Sequence, residues 1–230
     1  MSKNEQMHSV IGPGRGTTGA ARPAQGVYGS RGNLELVACD DADGLWVFWF
    51  NSDHDSDPVA APDVPPGTWS AGLHFAAGDR YTEAQILQSP LGPDHLEVLA
   101  LDDGGTLQSW YWSPGPGFAR RAADAATDVT RFTTSIASDG TLTVDYVDLG
   151  FAHRRAMSGT ADYPERSWTV QSSESEPQYD ADAEVAAAGI RSLLPGTARA
   201  ATSTRDGGMR ELTWRDVDGT LRHVAVPLTH

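Results

Sequence analysis

The chain has 230 residues, with 17 Lys and Arg against 31 Asp and Glu, a formal net charge of −14 and a single cysteine. That balance provides no clustered basic face, which argues against nucleic acid and anionic membrane surfaces as partners. One cysteine permits no intrachain disulfide, and 24 glycines, 14 prolines and no sustained helical period favour one all-β domain.

Residues 1–25 carry Gly12, Gly14, Gly16 and Gly19 and are too short to form a unit of their own. They are expected to be a flexible arm, unless Ser9-Val10-Ile11 adds a strand that closes a ring against the end of the chain. No charged leader with an apolar core is present, nor an apolar run of about 18 residues, so a cytoplasmic location is expected, unconventional export remaining open.

From residue 26 onward, four segments of about fifty residues repeat loosely. Each opens on a short run ending in Ser30, Ser89, Ser138 or Ser192. A strand of alternating pattern follows, at Leu34-Glu35-Leu36-Val37-Ala38, Leu96-Glu97-Val98-Leu99-Ala100, Leu142-Thr143-Val144-Asp145-Tyr146 and Ala198-Arg199-Ala200-Ala201. Tight turns are expected at Asp41-Ala42-Asp43-Gly44, Asp103-Gly104-Gly105-Thr106, Asp148-Leu149-Gly150 and Asp206-Gly207-Gly208, where Gly and Asp supply positive φ. The third strands then begin at Leu45, Leu107, Phe151 and Met209. Fourth strands are announced by Gly67-Thr68-Trp69, Gly117-Phe118, Ser167-Trp168 and Gly219-Thr220-Leu221. The only helical stretch expected is a turn or two over residues 183–188.

Four short strands per unit make one antiparallel blade. Residues 26–230 therefore read as a single four-bladed β-propeller, with a five-bladed propeller or a β-sandwich as alternatives. Cys39 falls inside a strand and reads as a small buried apolar residue.

Gly32-Asn33-Leu34-Glu35-Leu36-Val37-Ala38, followed by Asp43-Gly44-Leu45-Trp46 and Trp49, resembles the repeat of the bacterial propeller lectins related to the Photorhabdus fucose-binding lectins. His95-Leu96-Glu97-Val98-Leu99-Ala100 with Leu107 and Trp110 repeats the pattern, and Gly67-Thr68-Trp69-Ser70 resembles its last element. The resemblance covers the first two units; it implies a β-propeller and sugar binding between blades. The units differ at most polar positions, whereas several equal sugar pockets require the same groups in each. One asymmetric site is the expectation that fits.

The third unit is the odd one. Asp145 aligns with Val37, Leu99 and Ala201; Arg154 aligns with Phe48, Trp110 and Leu212; Ala156 replaces Phe50, Trp112 and Trp214. A charged pair beside a missing ring predicts a polar cavity, walled by Trp110 and Trp112 and holding Tyr146 and Arg154 as ligand contacts. If Leu149-Gly150 is a two-residue turn, Asp145 and Arg154 oppose each other and form an internal salt bridge. If the protein is an enzyme, Asp145, His153 and Arg154 are the catalytic candidates, His153 for proton transfer.

Other constellations read as structural. Asn51-Ser52-Asp53-His54-Asp55-Ser56-Asp57 alternates carboxylates as calcium loops do, but lacks their glycine turn and distal Glu, so a solvated acidic loop is expected. Glu35 and Glu97 occupy equivalent positions, as a glycosidase carboxylate pair or, more simply, as a repeated structural feature. No phosphate loop, dinucleotide fingerprint, nucleophile elbow or Cys/His cluster is present, so no cofactor and no metal are expected. Three functions remain open: a binding module for a sugar or other small polar ligand, a cofactor-independent cyclase or isomerase, and an interaction scaffold.

Overall fold

A computed structural model describes residues 8–53, 64–175 and 181–228. The chain is all-β. Four two-residue strands come first: β1 (Ser9–Val10), β2 (Thr17–Thr18), β3 (Ala21–Arg22) and β4 (Ala24–Gln25). The first sheet adds β5 (Leu34–Asp40), β6 (Leu45–Phe50) and β7 (Leu73–Phe75). The second holds β8 (Tyr81–Gln88), β9 (Leu96–Asp102), β10 (Leu107–Ser113) and β11 (Gly117–Arg120). The third holds β12 (Val129–Ile136), β13 (Leu142–Asp148), β14 (His153–Ser158) and β15 (Thr169–Ser172). After the helix α1 (Asp182–Ala187), the fourth consists of β16 (Arg199–Ser203), β17 (Met209–Arg215) and β18 (Leu221–Pro227).

Four hairpins fix the correspondence between the sheets. The backbone N–H groups of Asp40, Asp102, Asp148 and Asp216 donate to the carbonyls of Gly44, Thr106, Ala152 and Thr220 at 3.1, 3.0, 3.0 and 2.9 Å. The side chains of Asp40, Asp102 and Asp148 also accept backbone N–H groups of their own turns. These aspartates make β5, β9, β13 and β17 equivalent strands.

That equivalence corrects the sequence alignment in two units. In the fourth, the tight hairpin is Asp216–Thr220, with Gly219 at φ 84°, and not Asp206-Gly207-Gly208. Residues 199–203 are the unit's first strand, ended by Ser203 where Ser192 was expected, and β17 is its second strand. In the third unit, Leu149-Gly150-Phe151 is a three-residue loop, and the next strand starts at His153 rather than Phe151. Phe151 occupies the left-handed position (φ 61°) that Gly105 and Gly219 fill elsewhere, and is 84% exposed. A side chain there carries strain without burying its ring. Phe151→Gly is expected to raise stability in urea unfolding by about 1 kcal/mol or less; a loss would reveal a contact of the ring that outweighs the strain.

Side chains alternate across each strand, so every sheet shows one face to the unit before it and one to the unit after. Val37, Cys39, Leu45 and Val47 of the first sheet pack on Ile86, Val98, Ala100 and Trp110 of the second. Leu99, Leu101 and Leu107 of the second pack on Phe132, Leu142, Val144 and Tyr146 of the third. Leu34, Leu36, Ala38 and Phe48 of the first meet Leu221 of the fourth, with Ile11 of the leading segment. The remaining face of the fourth sheet, Leu212, Trp214 and Val224, is covered by Ala181, Val185 and Ile190 in and beside α1. No apolar cluster of the described residues joins the third and fourth sheets.

Residues 8–25, for which the sequence left an arm or a ring-closing strand open, run between the sheets. β1 pairs with β18, β2 and β4 pair with β5, and β3 lies parallel to β8. Buried Arg215 clasps this segment through the Thr17 hydroxyl and the carbonyls of Thr18 and Gly19. Cys39 is buried in the core, where burial pushes its thiol up to about 12 and leaves it inert. No helix among the described residues is long and apolar enough to cross a membrane.

Candidate functional site

The hairpin equivalence places one acid at the same position of three sheets. Glu35, Glu97 and Glu211 each stand five residues before the aligned Asp, on the face turned to the next sheet, and are 6%, 0% and 0% exposed. The third sheet carries Thr143 there, and its corresponding face is packed by no apolar cluster of the described residues. The buried acid therefore accompanies a covered interface. Its surroundings differ at each one.

Between the fourth and first sheets, Arg205 grips Glu211 with two bonds of 2.5 and 3.0 Å; Ser203 Oγ donates at 2.5 Å and His223 Nε2 lies at 2.8 Å. Burial pushes the Glu211 carboxyl up, but the bonds from His223 and Arg205 outweigh it and hold the group down at about 2. Burial also lowers His223, against the attraction of Glu211. Phe50, Trp69 and His223 form a ring cluster with centroids 5.3–5.6 Å apart, and the Arg205 guanidinium lies 5.1 Å over Phe50. Beside Arg205 opens a cleft of about 540 Å³, lined by Gln25, Ser30, Arg31, Thr204, Arg205 and Asp206. Arg31 pairs with Asp206 across it, and Gln25 Oε1 accepts the Thr204 N–H at 2.9 Å. Asp53 shapes the rim: its carboxylate accepts from the Ser30 N–H, the Ser30 hydroxyl and the Arg31 N–H. Asp53 is thus a buried clamp, not part of a solvated loop; residues 54–57 of that loop lie outside the described residues.

Between the first and second sheets, no cation among the described residues bonds Glu35. Burial pushes its carboxyl up to about 8, and only the bond from Asn33 opposes this. Between the second and third sheets, Glu97 is held between two buried arginines, Arg121 Nη1 at 2.7 Å and Arg166 Nη2 at 2.8 Å. Glu35 and Glu97 therefore serve different interfaces with different partners.

The six residues singled out from the sequence occupy three different faces. Trp110 is buried, with Trp112 packed beside it, between the first and second sheets, near Phe75 and Phe118. Tyr146 lies between the second and third. Asp145 is on the third sheet's other face, where it opposes Arg155 and not Arg154, because the three-residue loop shifts the register by one. Arg155 binds Asp145 with bonds of 2.7 and 2.9 Å, while Arg154 pairs with Asp148 at 3.2 Å. His153 Nδ1 lies 3.1 Å from the Ser175 carbonyl. The register also aligns Ala156, not Arg154, with Phe48 and Trp110.

Glu211, Arg205, His223, Arg121 and Arg166 were not found from sequence. The one available signal is the Glu-x4-Asp spacing shared by Glu35–Asp40, Glu97–Asp102 and Glu211–Asp216. Asp40, Asp43 and His74 also bring one ligand atom each within 4.8 Å of one another. Asp40 is already engaged by Trp46 Nε1 and by turn N–H groups, and His74 Nε2 by the Asp43 carbonyl, so these groups serve their turn.

No family model matches the chain, and no curated sequence does. Among solved structures it is similar to the lectin BP39L from Burkholderia pseudomallei (15% identity, TM-score 0.48), over 92% of this chain and 56% of that one. It is also similar to the six-bladed β-propeller lectin from Aleuria aurantia, whose fucose recognition has been described (15%, 0.48, over 93% and 63%). A third is AofleA from Arthrobotrys oligospora (12%, 0.48, over 96% and 57%). The chain thus spans about three-fifths of the length of these proteins. They are not the Photorhabdus-type lectins that the sequence resembles.

Proposed function

We propose that this chain is a carbohydrate-binding module built of four propeller-type blades, with one asymmetric sugar site in the cleft between the first and fourth sheets. The observation that carries this reading is Arg205, fixed by the buried Glu211 and standing at the edge of an open polar cleft. A guanidinium locked by one carboxylate keeps donors in a rigid fork, which suits the paired hydroxyls of a sugar ring. Gln25, Ser30, Arg31, Thr204 and Asp206 add donors and acceptors of both kinds around it. No other interface offers such a combination among the described residues: no cation bonds Glu35, and Glu97 and both its arginines are buried rather than set at the edge of an open cleft. Sugar binding is also the activity that the resemblance implied, and fucose is what the Aleuria aurantia lectin recognises.

The test is calorimetric titration of the wild type with a monosaccharide panel including fucose, alongside Asp206→Ala and Thr204→Val. Both residues lie at the rim, so the variants are expected to fold normally. Binding of at least one sugar, weakened about tenfold or more in Asp206→Ala, is expected. The sugar is expected back chemically unchanged, which separates this reading from a cyclase or isomerase. A panel without binding, or variants that bind as the wild type does, would overturn the assignment.

A further inference from the structure

We infer that the interface between the second and third sheets holds a second site, for a small oxyanion, bound by Arg121 and Arg166 beside Glu97. Arg121 and Arg166 are each 1% exposed and Glu97 is 0% exposed. A guanidinium keeps its proton even when buried, so the three groups leave one positive charge without a counter-charge. Among the described residues no other carboxylate bonds either arginine. Carbonyl oxygens supply only partial compensation: Pro164 and Trp110 accept from Arg121, and Gly140, Ser158 and Gly159 from Arg166.

The second observation is a set of donors with nothing to donate to. Arg121 Nη2, Arg166 Nε and Tyr163 Oη are buried and unpartnered; so are His95 Nδ1, a donor in one tautomer and an acceptor in the other, and the acceptor Glu97 Oε2, which ion-pairs with Arg121 without a hydrogen bond. These side chains are joined by contact. Both arginines touch Glu97, Arg121 lies 5.0 and 5.7 Å over the Tyr111 and Tyr163 rings, and the His95 and Tyr163 rings are 5.5 Å apart. Unmatched buried donors cost free energy individually and are rare in native interiors. Several of them, around an excess positive charge, fit a bound species that accepts hydrogen bonds and carries negative charge. The class is a sulfate, phosphate or carboxylate oxyanion. Residues 159–167 carry Tyr163 to the Arg121 guanidinium and Arg166 to Glu97.

This site is separate from the cleft beside Arg205, so the failure of either reading leaves the other standing. The experiment is titration of the full chain with sodium sulfate against sodium chloride at matched ionic strength, by calorimetry and thermal melting; glucuronate is a second arm. Glucuronate binding more tightly than sulfate would identify an acidic sugar as the ligand, and the reverse order an inorganic ion. A saturable sulfate or glucuronate effect is expected in the wild type, weakened about tenfold in Arg166→Met. Tyr163→Phe keeps the ring and the charge balance and is expected to fold as the wild type does, with affinity reduced severalfold. Sulfate equal to chloride with no glucuronate binding, or an oxyanion effect unchanged in Tyr163→Phe and Arg166→Met, would overturn the inference.

Discussion

Replacing Glu97 by Gln is expected to be the most damaging single substitution in this protein, costing about 3–5 kcal/mol in urea unfolding and lowering the melting point by about 10 °C or more. The change is nearly isosteric, so packing does not explain such a loss. It removes the one negative charge between Arg121 and Arg166, both buried and both within 2.8 Å of the carboxylate. Two like charges then face each other where water cannot screen them. The equivalent substitution Glu35→Gln removes no partner charge, because no cation among the described residues bonds Glu35, which accepts from Asn33. At pH 5, where the folded carboxyl still holds its proton, it is expected to cost under about 1 kcal/mol. A loss below about 1 kcal/mol for Glu97→Gln as well would mean that the two guanidinia are neutralised by something other than this carboxylate.

The four-unit, all-β organisation was legible because its signals are local. Alternating strands and Asp/Gly turns need only a few consecutive residues, and the first two units follow them. The third and fourth units show where local signals mislead. Asp206-Gly207-Gly208 has the composition of a hairpin turn but joins β16 to β17 through a short 3-10 turn (Arg205–Gly207). The true hairpin at Asp216 has the same Asp/Gly composition, with Gly219 placed as Gly105 is, but Gly219-Thr220-Leu221 reads locally as the opening of a fourth strand. At Phe151, a position that composition would give to Gly holds an aromatic residue, and the register shift it hides exchanged Arg154 for Arg155.

The candidate sites were less legible than the fold for a different reason. Glu97 and Arg166 are 69 residues apart, and nothing in the local sequence of either names the other. Glu211 takes its place beside Glu35 and Glu97 only through the hairpin at Asp216, which sets the register of the fourth unit. Sequence shows a repeated acid; the sheet-to-sheet packing decides whether that acid meets two cations, one cation with a histidine, or none.

Those differences predict a dependence of stability on pH with two opposite arms. The Glu35 carboxyl, pushed by burial to about 8 from an ordinary 4.5, keeps its proton in the folded chain while the unfolded chain has lost it. Its contribution is therefore complete below the unfolded value and declines as pH rises toward 8, by about 1.4 kcal/mol per pH unit. Glu211, held at about 2, acts in the reverse sense: its contribution is present above the ordinary 4.5 and is lost as pH falls toward 2. Urea unfolding at pH 5 and pH 8 isolates the first arm. The wild type is expected to lose up to about 4 kcal/mol between the two, while Glu35→Gln, which cannot ionise, holds its stability across the same interval. At pH 5 the two proteins should differ little, because Gln replaces a carboxyl that is already neutral in the folded state. At pH 8 the variant should be the more stable protein, a gain obtained by removing a buried acid. Parallel decline of wild type and variant would show that Glu35 is ionised in the folded chain, and that a cation or water reaches it between the first and second sheets.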